Sequence, residues 1–418
     1  MTSIKKNIGY QTIYEVLNTC LPLITAPYLA RVLGAAQIGV FSFTQSIANY
    51  FVLFGLLGVK IYGTRVIASV RDSKKKCNEV FGQVYSLQLV SSIISLIFYT
   101  VYCFLICKDN ELIAYIQILA VLECAFNINW VFSGLEKFKL TVVRSIIVRI
   151  TTVVCILLFV KKPEDLWIYT LLMVGGSLAG ILILWRYIPK LIGPVHLSFN
   201  GITQHIKPNI LLFLPLMAMS IYHLMDKTML GYLSTYEQTG FYYNADKVIN
   251  IPIGIIIGIG TVMLPRITNM LSNGQNDKAK ALFFDSIDAV SAASIAMCAG
   301  IVAIIYEFVP FFFGNGYDAC ILLTSVLAPV LYIKAISLTI RNEYLIPKKK
   351  DKIYILSVVA GAVVNLVVNI IMIPAYGALG AVIGTLTAEF IACIWQIIAI
   401  HKSINVTKKL LTGIPYWE

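Results

Sequence analysis

Long apolar stretches separated by short polar segments run along the chain from end to end. An α-helix needs about 20 residues to cross roughly 30 Å of hydrocarbon. The first stretch follows Lys5 and Lys6 but is too long for the apolar region of a signal peptide, which has about 7–15 residues. The pattern therefore predicts twelve transmembrane helices, at 11–33, 38–59, 80–106, 112–133, 141–160, 166–186, 209–231, 241–264, 281–307, 318–340, 353–373 and 375–400.

Composition supports this membrane assignment. The 418 residues are 58% hydrophobic and only 13% charged, and their mean hydropathy is +0.81, whereas soluble domains carry about 25% charged residues. The net charge of +12 lies in short clusters between the apolar stretches, which favours contact with anionic membrane lipids over nucleic acid. The nine cysteines form no CxxC or Cys/His cluster, so we predict neither disulfides nor a metal site.

The distribution of lysine and arginine predicts how the chain is oriented. Of the 33 basic residues, 25 fall in the termini and in every second connection, and four fall in the opposite set. Connections rich in Lys and Arg stay in the cytoplasm. Both termini are therefore predicted to be cytoplasmic, and the alternation supports twelve spans.

Six predicted helices lie in each half, and each half begins on the cytoplasmic side. At an offset of 201 residues, Gly39 corresponds to Gly240 and Arg65 to Arg266. Two parallel bundles around a midplane cavity are a recurrent design of alternating-access carriers. We predict an all-α integral membrane fold of two pseudo-symmetric six-helix bundles enclosing a central cavity. The predicted organisation is an N-terminal bundle at 1–188, a cytoplasmic connecting loop at 189–208, a C-terminal bundle at 209–400 and a basic cytoplasmic tail at 401–418.

Four groups of short segments, spread over almost the whole chain, carry a family resemblance: Thr25–Gly34 with Ile38–Phe41, Asp226–Gly231 with Gly240–Tyr242, Leu264–Arg266, and Gly377–Ala381. In order and spacing they resemble bacterial polysaccharide (O-antigen) flippases of the multidrug/oligosaccharidyl-lipid/polysaccharide exporter superfamily. The resemblance implies translocation of an oligosaccharide repeat unit on undecaprenyl pyrophosphate from the cytoplasmic to the periplasmic leaflet of the bacterial inner membrane. It also implies contact with membrane lipids and with other polysaccharide assembly proteins. Many such proteins have fourteen helices, so we expect a twelve-helix member or a chain that lacks the last pair.

Charged residues inside the predicted spans are candidates for the cargo site. Each costs roughly 2.5–3.5 kcal/mol at a helix centre on insertion scales, so it should face a cavity or a partner. A pyrophosphate crossing the membrane needs cations along its path. We therefore hypothesise a cationic central cavity, while pairing of Lys227 with Asp226, or snorkelling to the interface, is the alternative role. The five candidate cations are Arg31, Arg149, Lys227, Lys247 and Lys334.

The acidic residues within the spans raise the question of energy coupling. The chain has no GxxxxGK[ST] phosphate-binding loop, so we expect no ATP hydrolysis, and no cofactor beyond H⁺ or Na⁺ as a coupling ion. Internal salt bridges are the alternative role for each acid. The four candidates for ion coupling are Glu15, Glu123, Asp226 and Glu389.

Three other functions compete with a flippase. A cation-coupled multidrug or metabolite exporter of the same superfamily is the nearest, although its cavity should be less cationic. A polysaccharide polymerase or ligase needs a large extracytoplasmic loop, whereas the connections near 231–240 and 308–317 are short. A channel is disfavoured because the sequence has no repeated pore loop or charged ring. We therefore predict a transporter without catalytic residues, rather than an enzyme.

Overall fold

The computed structural model describes residues 21–214, 217, 220–260, 262–401, 403 and 404 in full, and residues 2–20, 215, 216, 218, 219 and 261 by their backbone. This part of the chain is helical and contains no β-strand. A 3₁₀ turn, Pro163–Asp165, precedes α7, and a π-helical turn, Ile340–Leu345, follows α13. The α-helices are α1 (Thr2–Leu56), α2 (Val59–Val70), α3 (Lys74–Leu105), α4 (Glu111–Phe126), α5 (Asn129–Gly134), α6 (Phe138–Phe159), α7 (Leu166–Trp185), α8 (Ile188–Ile192), α9 (Ile202–Leu233), α10 (Tyr236–Ser272), α11 (Asn276–Phe313), α12 (Asp318–Leu327), α13 (Val330–Thr339), α14 (Asp351–Tyr376) and α15 (Ala378–His401).

The helices bear out the predicted membrane protein. Ten segments of the described residues are long and apolar enough to cross a bilayer. Nine of them coincide with one predicted span each. The remaining segment, Leu21–Val70, contains part of the first predicted span and all of the second. Helix α1 runs through both, and a bend at Gly34, where φ is 75° and ψ is 168°, separates them. The seventh predicted span, 209–231, lies within α9. The all-helical, multi-pass membrane fold is thus confirmed.

Two predicted spans are broken rather than continuous. Between α12 and α13 the chain passes through Pro329, which has no amide hydrogen and disfavours an uninterrupted helix. The span predicted at 112–133 divides into α4 and the short α5. The residues around Pro329 are apolar, so hydropathy does not reveal that break, whereas Asn127 and Asn129 mark the break between α4 and α5.

Several helices extend beyond the hydrocarbon-length stretches. The connection expected after the second span is largely helix α2, which is separated from α1 by Leu57 and Gly58. A Cβ on Gly58 would lie 2.6 Å from the carbonyl oxygen of Asn209, so the glycine permits close contact with α9. Hydropathy detects only the part of a helix that lies in hydrocarbon, whereas backbone hydrogen bonds continue past it.

The chain forms two compact units, Met1–Leu224 and Met225–Glu418. An aromatic cluster organises the first unit. The ring of Phe81 stacks on Tyr85 and on Trp130, with centroids 5.3 and 5.6 Å apart. The indole nitrogen of Trp130 donates a hydrogen bond of 2.9 Å to the amide oxygen of Gln88 on α3, so the buried polar atom of the ring is satisfied.

A tight helical hairpin of α14 and α15 organises the second unit. Gly377, with φ at 55°, forms the turn between them. A Cβ on Gly380 would lie 2.4 Å from the carbonyl oxygen of Met372, so only glycine allows the backbones to approach this closely. The segment Gly377–Ala381, noted for its family resemblance, is thus the structural element that closes the hairpin.

Candidate functional site

A buried carboxylate, Asp226 on α9, lies at the centre of a polar network in the second unit. Its Oδ2 accepts hydrogen bonds from the hydroxyls of Tyr242 (2.6 Å) and Thr385 (2.7 Å). Its Oδ1 accepts from the side-chain amides of Asn365 (3.0 Å) and Asn369 (2.7 Å). Each carboxylate oxygen therefore has two protein donors, which come from α10, α14 and α15.

The spacing of residues along α14 places two of these donors on the same side of the helix. Asn365 and Asn369 are four residues apart on α14, so they lie on the same face of that helix. Opposite them, a Cβ on Gly384 of α15 would lie 2.0 Å from Oδ1 of Asn369. The glycine therefore leaves the space that the two amides occupy, and α14 and α15 together provide three of the four donors to Asp226.

Two ion pairs lie within the same unit. The ammonium of Lys227 is 3.0 Å from Oδ2 of Asp246, and that of Lys334 is 3.1 Å from Oε1 of Glu389. These side chains are between 10% and 24% exposed, so the pairs are largely shielded from solvent. The charge of Asp226 also acts on both lysines. The three acids and two lysines thus form one electrostatic network.

The aromatic ring of Tyr243 lies close to two of the candidate cations. The ring centroid of Tyr243 is 5.2 Å from the ammonium of Lys227 and 5.1 Å from that of Lys247, within the range of cation–π attraction. Asp246 also accepts a 2.7 Å hydrogen bond from the side-chain amide of Asn250. Two ammonium groups and the Asp246 carboxylate therefore lie around Tyr243, and ammonium groups are among the side chains that bind phosphate in proteins.

Five of the nine candidate residues come together in the second unit: Asp226, Lys227, Lys247, Lys334 and Glu389. The salt-bridge partner of Lys227 is not the one named in the alternative role for this residue. That alternative paired it with the neighbouring Asp226, whereas the contact is with Asp246 on α10. Consecutive residues on an α-helix point about 100° apart, so Asp226 and Lys227 reach different helices.

The other four candidates belong to the first unit. Glu123 on α4 hydrogen-bonds the hydroxyl of Ser177 on α7, and the charge of Arg144 acts on it. Arg149 is half-buried on α6, and Arg31 is exposed on α1. Glu15 lies outside the residues whose side chains the structure describes.

Arg144 is a residue that the sequence pattern did not single out, because it falls at the edge of a polar connection. In the structure it lies on α6, half-buried, and its guanidinium donates a 2.9 Å hydrogen bond to Oδ1 of Asn129. A Cβ on Gly180 of α7 would lie 3.1 Å from the Arg144 guanidinium. The first unit thus has its own electrostatic interaction between an arginine, Arg144, and the acid Glu123.

A buried histidine, His205, makes hydrogen bonds that join three helices of the first unit. His205, near the start of α9, is buried; its Nδ1 is 2.6 Å from the hydroxyl of Tyr62 and its Nε2 is 2.8 Å from Oε1 of Gln83. Burial lowers the pKa of His205 below its usual value because a charged imidazolium is poorly solvated there. The neutral ring therefore connects α9 to α2 and α3.

The donors around Asp226 were also missed at the sequence level. Asn365 and Asn369 are the signal that could have revealed the site, because two amides four residues apart on one face of an otherwise apolar span suit a polar contact between helices. Tyr242, the last residue of the segment Gly240–Tyr242 noted for its family resemblance, directs its hydroxyl to Asp226. No group of three or more His, Cys, Asp or Glu side chains that could hold a metal ion occurs in the part of the chain described.

The sequence is similar to known polysaccharide-pathway proteins. Residues 4–271 match the polysaccharide biosynthesis protein family. A protein of Escherichia coli (strain K12) designated a candidate O-antigen transporter is 25% identical over 391 residues, covering 93% of this chain and 94% of that protein. A protein of Shigella dysenteriae with the same designation is 25% identical over 404 residues, covering 95% and 100%. These designations agree with the prediction of a transporter rather than an enzyme.

Solved structures share the fold at lower sequence identity. The lipid II flippase MurJ, in an inward closed conformation, matches with a TM-score of 0.78 and 16% identity, covering 96% of this chain and 89% of its own. An inward-facing multidrug resistance MATE family transporter of the MOP superfamily matches with a TM-score of 0.68 and 13% identity, covering 94% and 99%. The chain therefore has the fold of MOP superfamily transporters.

Proposed function

The chain belongs to the polysaccharide biosynthesis protein family, and from this premise we propose that it is a flippase for a lipid-linked oligosaccharide. The proposed cargo is a repeat unit on undecaprenyl pyrophosphate, moved by alternating access from the cytoplasmic to the periplasmic leaflet of a bacterial inner membrane, with both termini of the chain in the cytoplasm. The relatives designated candidate O-antigen transporters and the fold shared with a lipid II flippase support this proposal.

The observation that carries the proposal is the set of lysines within the apolar helices of the second unit. A pyrophosphate loses its hydration when it leaves water, and that loss requires compensating cations. Lys227, Lys247 and Lys334 provide three ammonium groups, two of them beside the ring of Tyr243. A tyrosine face suits the apolar side of a sugar ring, so cation and ring together match a glycan pyrophosphate.

The ion pairs bear on how the lysines could meet an anionic cargo. Asp246 and Glu389 hold Lys227 and Lys334 at 3.0 and 3.1 Å, as phosphate oxygens would. We propose that the cargo replaces these carboxylates, so that the charge of each lysine remains compensated in both states. Arg31 and Arg149 of the first unit are proposed as further cations for the same cargo.

Asp226 is proposed as the residue that couples transport to an ion. Its four protein donors form a closed polar site among α9, α10, α14 and α15, and binding of H⁺ or Na⁺ there must rearrange those donors. Lys227 follows Asp226 directly on α9. A rotation or shift of this turn of α9 would therefore move the cargo lysine together with the ion-binding acid. Glu15, Glu123 and Glu389 are the other acids proposed for this role.

A cation-coupled multidrug or metabolite exporter is the second candidate. One observation favours it: Lys227 and Lys334 are each neutralised by a carboxylate, so this part of the unit carries acids as well as bases. A cationic drug would then bind Asp246 or Glu389 rather than the lysines. The two functions thus predict opposite effects of removing the lysines and the acids.

Leaflet-resolved transport in proteoliposomes tests the proposal. A fluorescent oligosaccharide on undecaprenyl pyrophosphate is placed in one leaflet, and its appearance in the other is measured with a membrane-impermeant quencher. We expect the wild-type protein to accelerate translocation, and Lys227→Ala with Lys334→Ala to reduce it at least tenfold. Lys278→Ala, at an exposed position of α11, is the matched control and should retain full activity. Rates equal to those of protein-free liposomes, together with transport of an organic cation, would support the exporter instead.

A further inference from the structure

A second buried acid lies in the second unit, outside the network around Asp226. Glu343 belongs to the π-helical turn Ile340–Leu345 and is only 2% exposed. One carboxyl oxygen, Oε1, accepts a 2.7 Å hydrogen bond from the hydroxyl of Ser286 on α11. The other oxygen, Oε2, is buried without a hydrogen-bond partner among the described residues. Glu343 is therefore half-satisfied, in contrast to Asp226.

The surroundings of Glu343 are apolar. Its own turn and the facing helices form a cluster of buried hydrophobic side chains, and no described lysine or arginine forms an ion pair with Glu343. An ionised carboxylate in such a place costs several kcal/mol unless a cation compensates it. A neutral carboxylic acid lowers that cost. The cluster comprises Phe283, Phe284, Ile287, Ile336, Ile340, Tyr344, Leu345, Cys393, Ile400 and Ile404.

Most titratable groups on the neighbouring elements pair elsewhere or are exposed. Lys334 on α13 and Glu389 on α15 pair with each other, while the ring of Tyr354 on α14 contacts the Arg341 guanidinium. Among the described buried residues of the apolar cluster, Tyr344 and the thiol of Cys393 are titratable, and Tyr332 and Tyr354 pack against it. Of the charged or titratable side chains of α10, α11, α14 and α15 nearest in sequence to the cluster, Lys280 is half-buried and the others are exposed: Arg266, Asp285, Asp288, Asp351, Lys352 and His401.

Cations that would stabilise an ionised Glu343 are present on its own segment, but they lie on aromatic rings. The ammonium of Lys348 is 4.4 Å, and that of Lys350 5.6 Å, from the ring centroid of Tyr344. Arg341 lies 4.5 Å from the ring centroid of Tyr354. The three cations therefore lie within seven residues of Glu343 along the chain and contact aromatic rings rather than its carboxylate.

The backbone at Glu343 has the geometry for such a change. A π-helical turn contains one residue more than the α-helical turn it replaces, and such turns are frequent at functional sites. Asn342 of this turn lies against α10. A Cβ on Gly260 of α10 would be 2.6 Å from the side-chain nitrogen Nδ2 of Asn342. Conversion between π and α geometry would therefore move Glu343 and Asn342 relative to α10 and α11.

We propose that Glu343 is a proton-binding site. In the observed packing the side chain holds a proton as a neutral carboxylic acid, with Ser286 as its hydrogen-bond donor. Release of the proton accompanies a change in the π-helical turn that brings Arg341, Lys348 or Lys350 to the carboxylate. This assignment goes beyond the proposed transport of an oligosaccharide and does not depend on it.

Infrared spectroscopy of the purified full-length protein tests the proposal, because a protonated carboxyl group has a carbonyl band separate from those of carboxylates and amides. The protein is kept at neutral pH in a detergent without ester groups. We expect Glu343→Gln, which mimics the neutral acid, to remove one carboxylic acid band. Asp285→Asn, an exposed acid beside Ser286, should leave the acid region unchanged and remove a carboxylate signal instead.

A second variant keeps the test informative if Glu343→Gln is not recovered. Ser286→Ala removes the hydrogen bond to the carboxyl group, so the acid band should remain and shift in frequency. Loss of a carboxylate signal rather than an acid band in Glu343→Gln would overturn the proposal. An acid region that is identical in wild type and Ser286→Ala would overturn it equally.

Discussion

Replacing Asp246 by asparagine separates the two roles that we assign to its ion pair with Lys227. In the empty protein the carboxylate compensates the ammonium, and during transport it competes with the phosphate of the cargo. Asp246→Asn keeps the shape of the side chain and removes its charge. The variant should therefore be less stable than the wild type and yet bind the cargo more tightly.

The geometry sets the size of both effects. Unit charges at the observed 3.0 Å attract by about 5 kcal/mol at an effective dielectric constant of about 20. The side chains are 19% and 24% exposed, and desolvation opposes the attraction, so we expect a net loss of about 1–3 kcal/mol from the free energy of unfolding. Because each 1.4 kcal/mol corresponds to a tenfold change in affinity, cargo binding should tighten by roughly ten- to a hundredfold.

Two assays on the purified protein measure these effects. Unfolding in detergent gives the change in stability, and titration with the lipid-linked oligosaccharide gives the dissociation constant. Lys227→Ala should weaken binding, and Asp277→Asn, an exposed acid at the start of α11, should change neither quantity. If Asp246→Asn weakens cargo binding as much as Lys227→Ala does, the carboxylate does not compete with phosphate and the reasoning is refuted.

Three further predictions concern ion coupling, pH dependence and packing. Asp226→Asn should fold but lose the response of transport to imposed H⁺ and Na⁺ gradients; a variant that responds like the wild type would exclude Asp226 from coupling. Burial lowers the pKa of His205, so this histidine binds a proton more readily in the unfolded chain than in the folded chain. The free energy of unfolding should therefore fall as the pH drops below about 6.5. His205→Gln should flatten this dependence in thermal unfolding between about pH 8 and 5, and an unchanged slope would contradict it. Gly384→Ala places a methyl group 2.0 Å from Oδ1 of Asn369 and should destabilise the protein by about 1–3 kcal/mol in chemical unfolding. Gly300→Ala, with open space around it, should change stability by no more than about 0.5 kcal/mol. Equal effects of the two substitutions would contradict the packing argument.

The sequence predicts the order of the spans well because a bilayer requires an apolar stretch of fixed length. It predicts helix ends and breaks poorly. The break at Pro329 occurs in apolar sequence, where hydropathy has no contrast, and the two asparagines between α4 and α5 are too few to interrupt an otherwise apolar stretch. Helix α2 falls in a basic region read as a connection, because hydrogen bonding extends helices into water irrespective of hydropathy.

The candidate site shows a similar division. The cost of burying charge identifies Asp226, Lys227 and Lys334 from their positions within spans. Their partners depend on how each helix is rotated about its axis, and a helix that is apolar all round gives little periodic signal of that rotation. This is why Asp246, rather than Asp226, is the salt-bridge partner of Lys227. Glu343 escaped notice because its turn was read as part of a basic connection.

The central claim, that the lysines of the second unit carry a pyrophosphate-linked glycan, is tested most directly by comparing two cargoes in the same proteoliposomes. One is the oligosaccharide on undecaprenyl pyrophosphate, and the other is the same oligosaccharide on a phosphate-free lipid of equal length. We predict that the wild-type protein translocates the pyrophosphate cargo at least tenfold faster, and that Lys227→Ala with Lys334→Ala removes this preference. Equal rates for the two cargoes in the wild type would contradict the account.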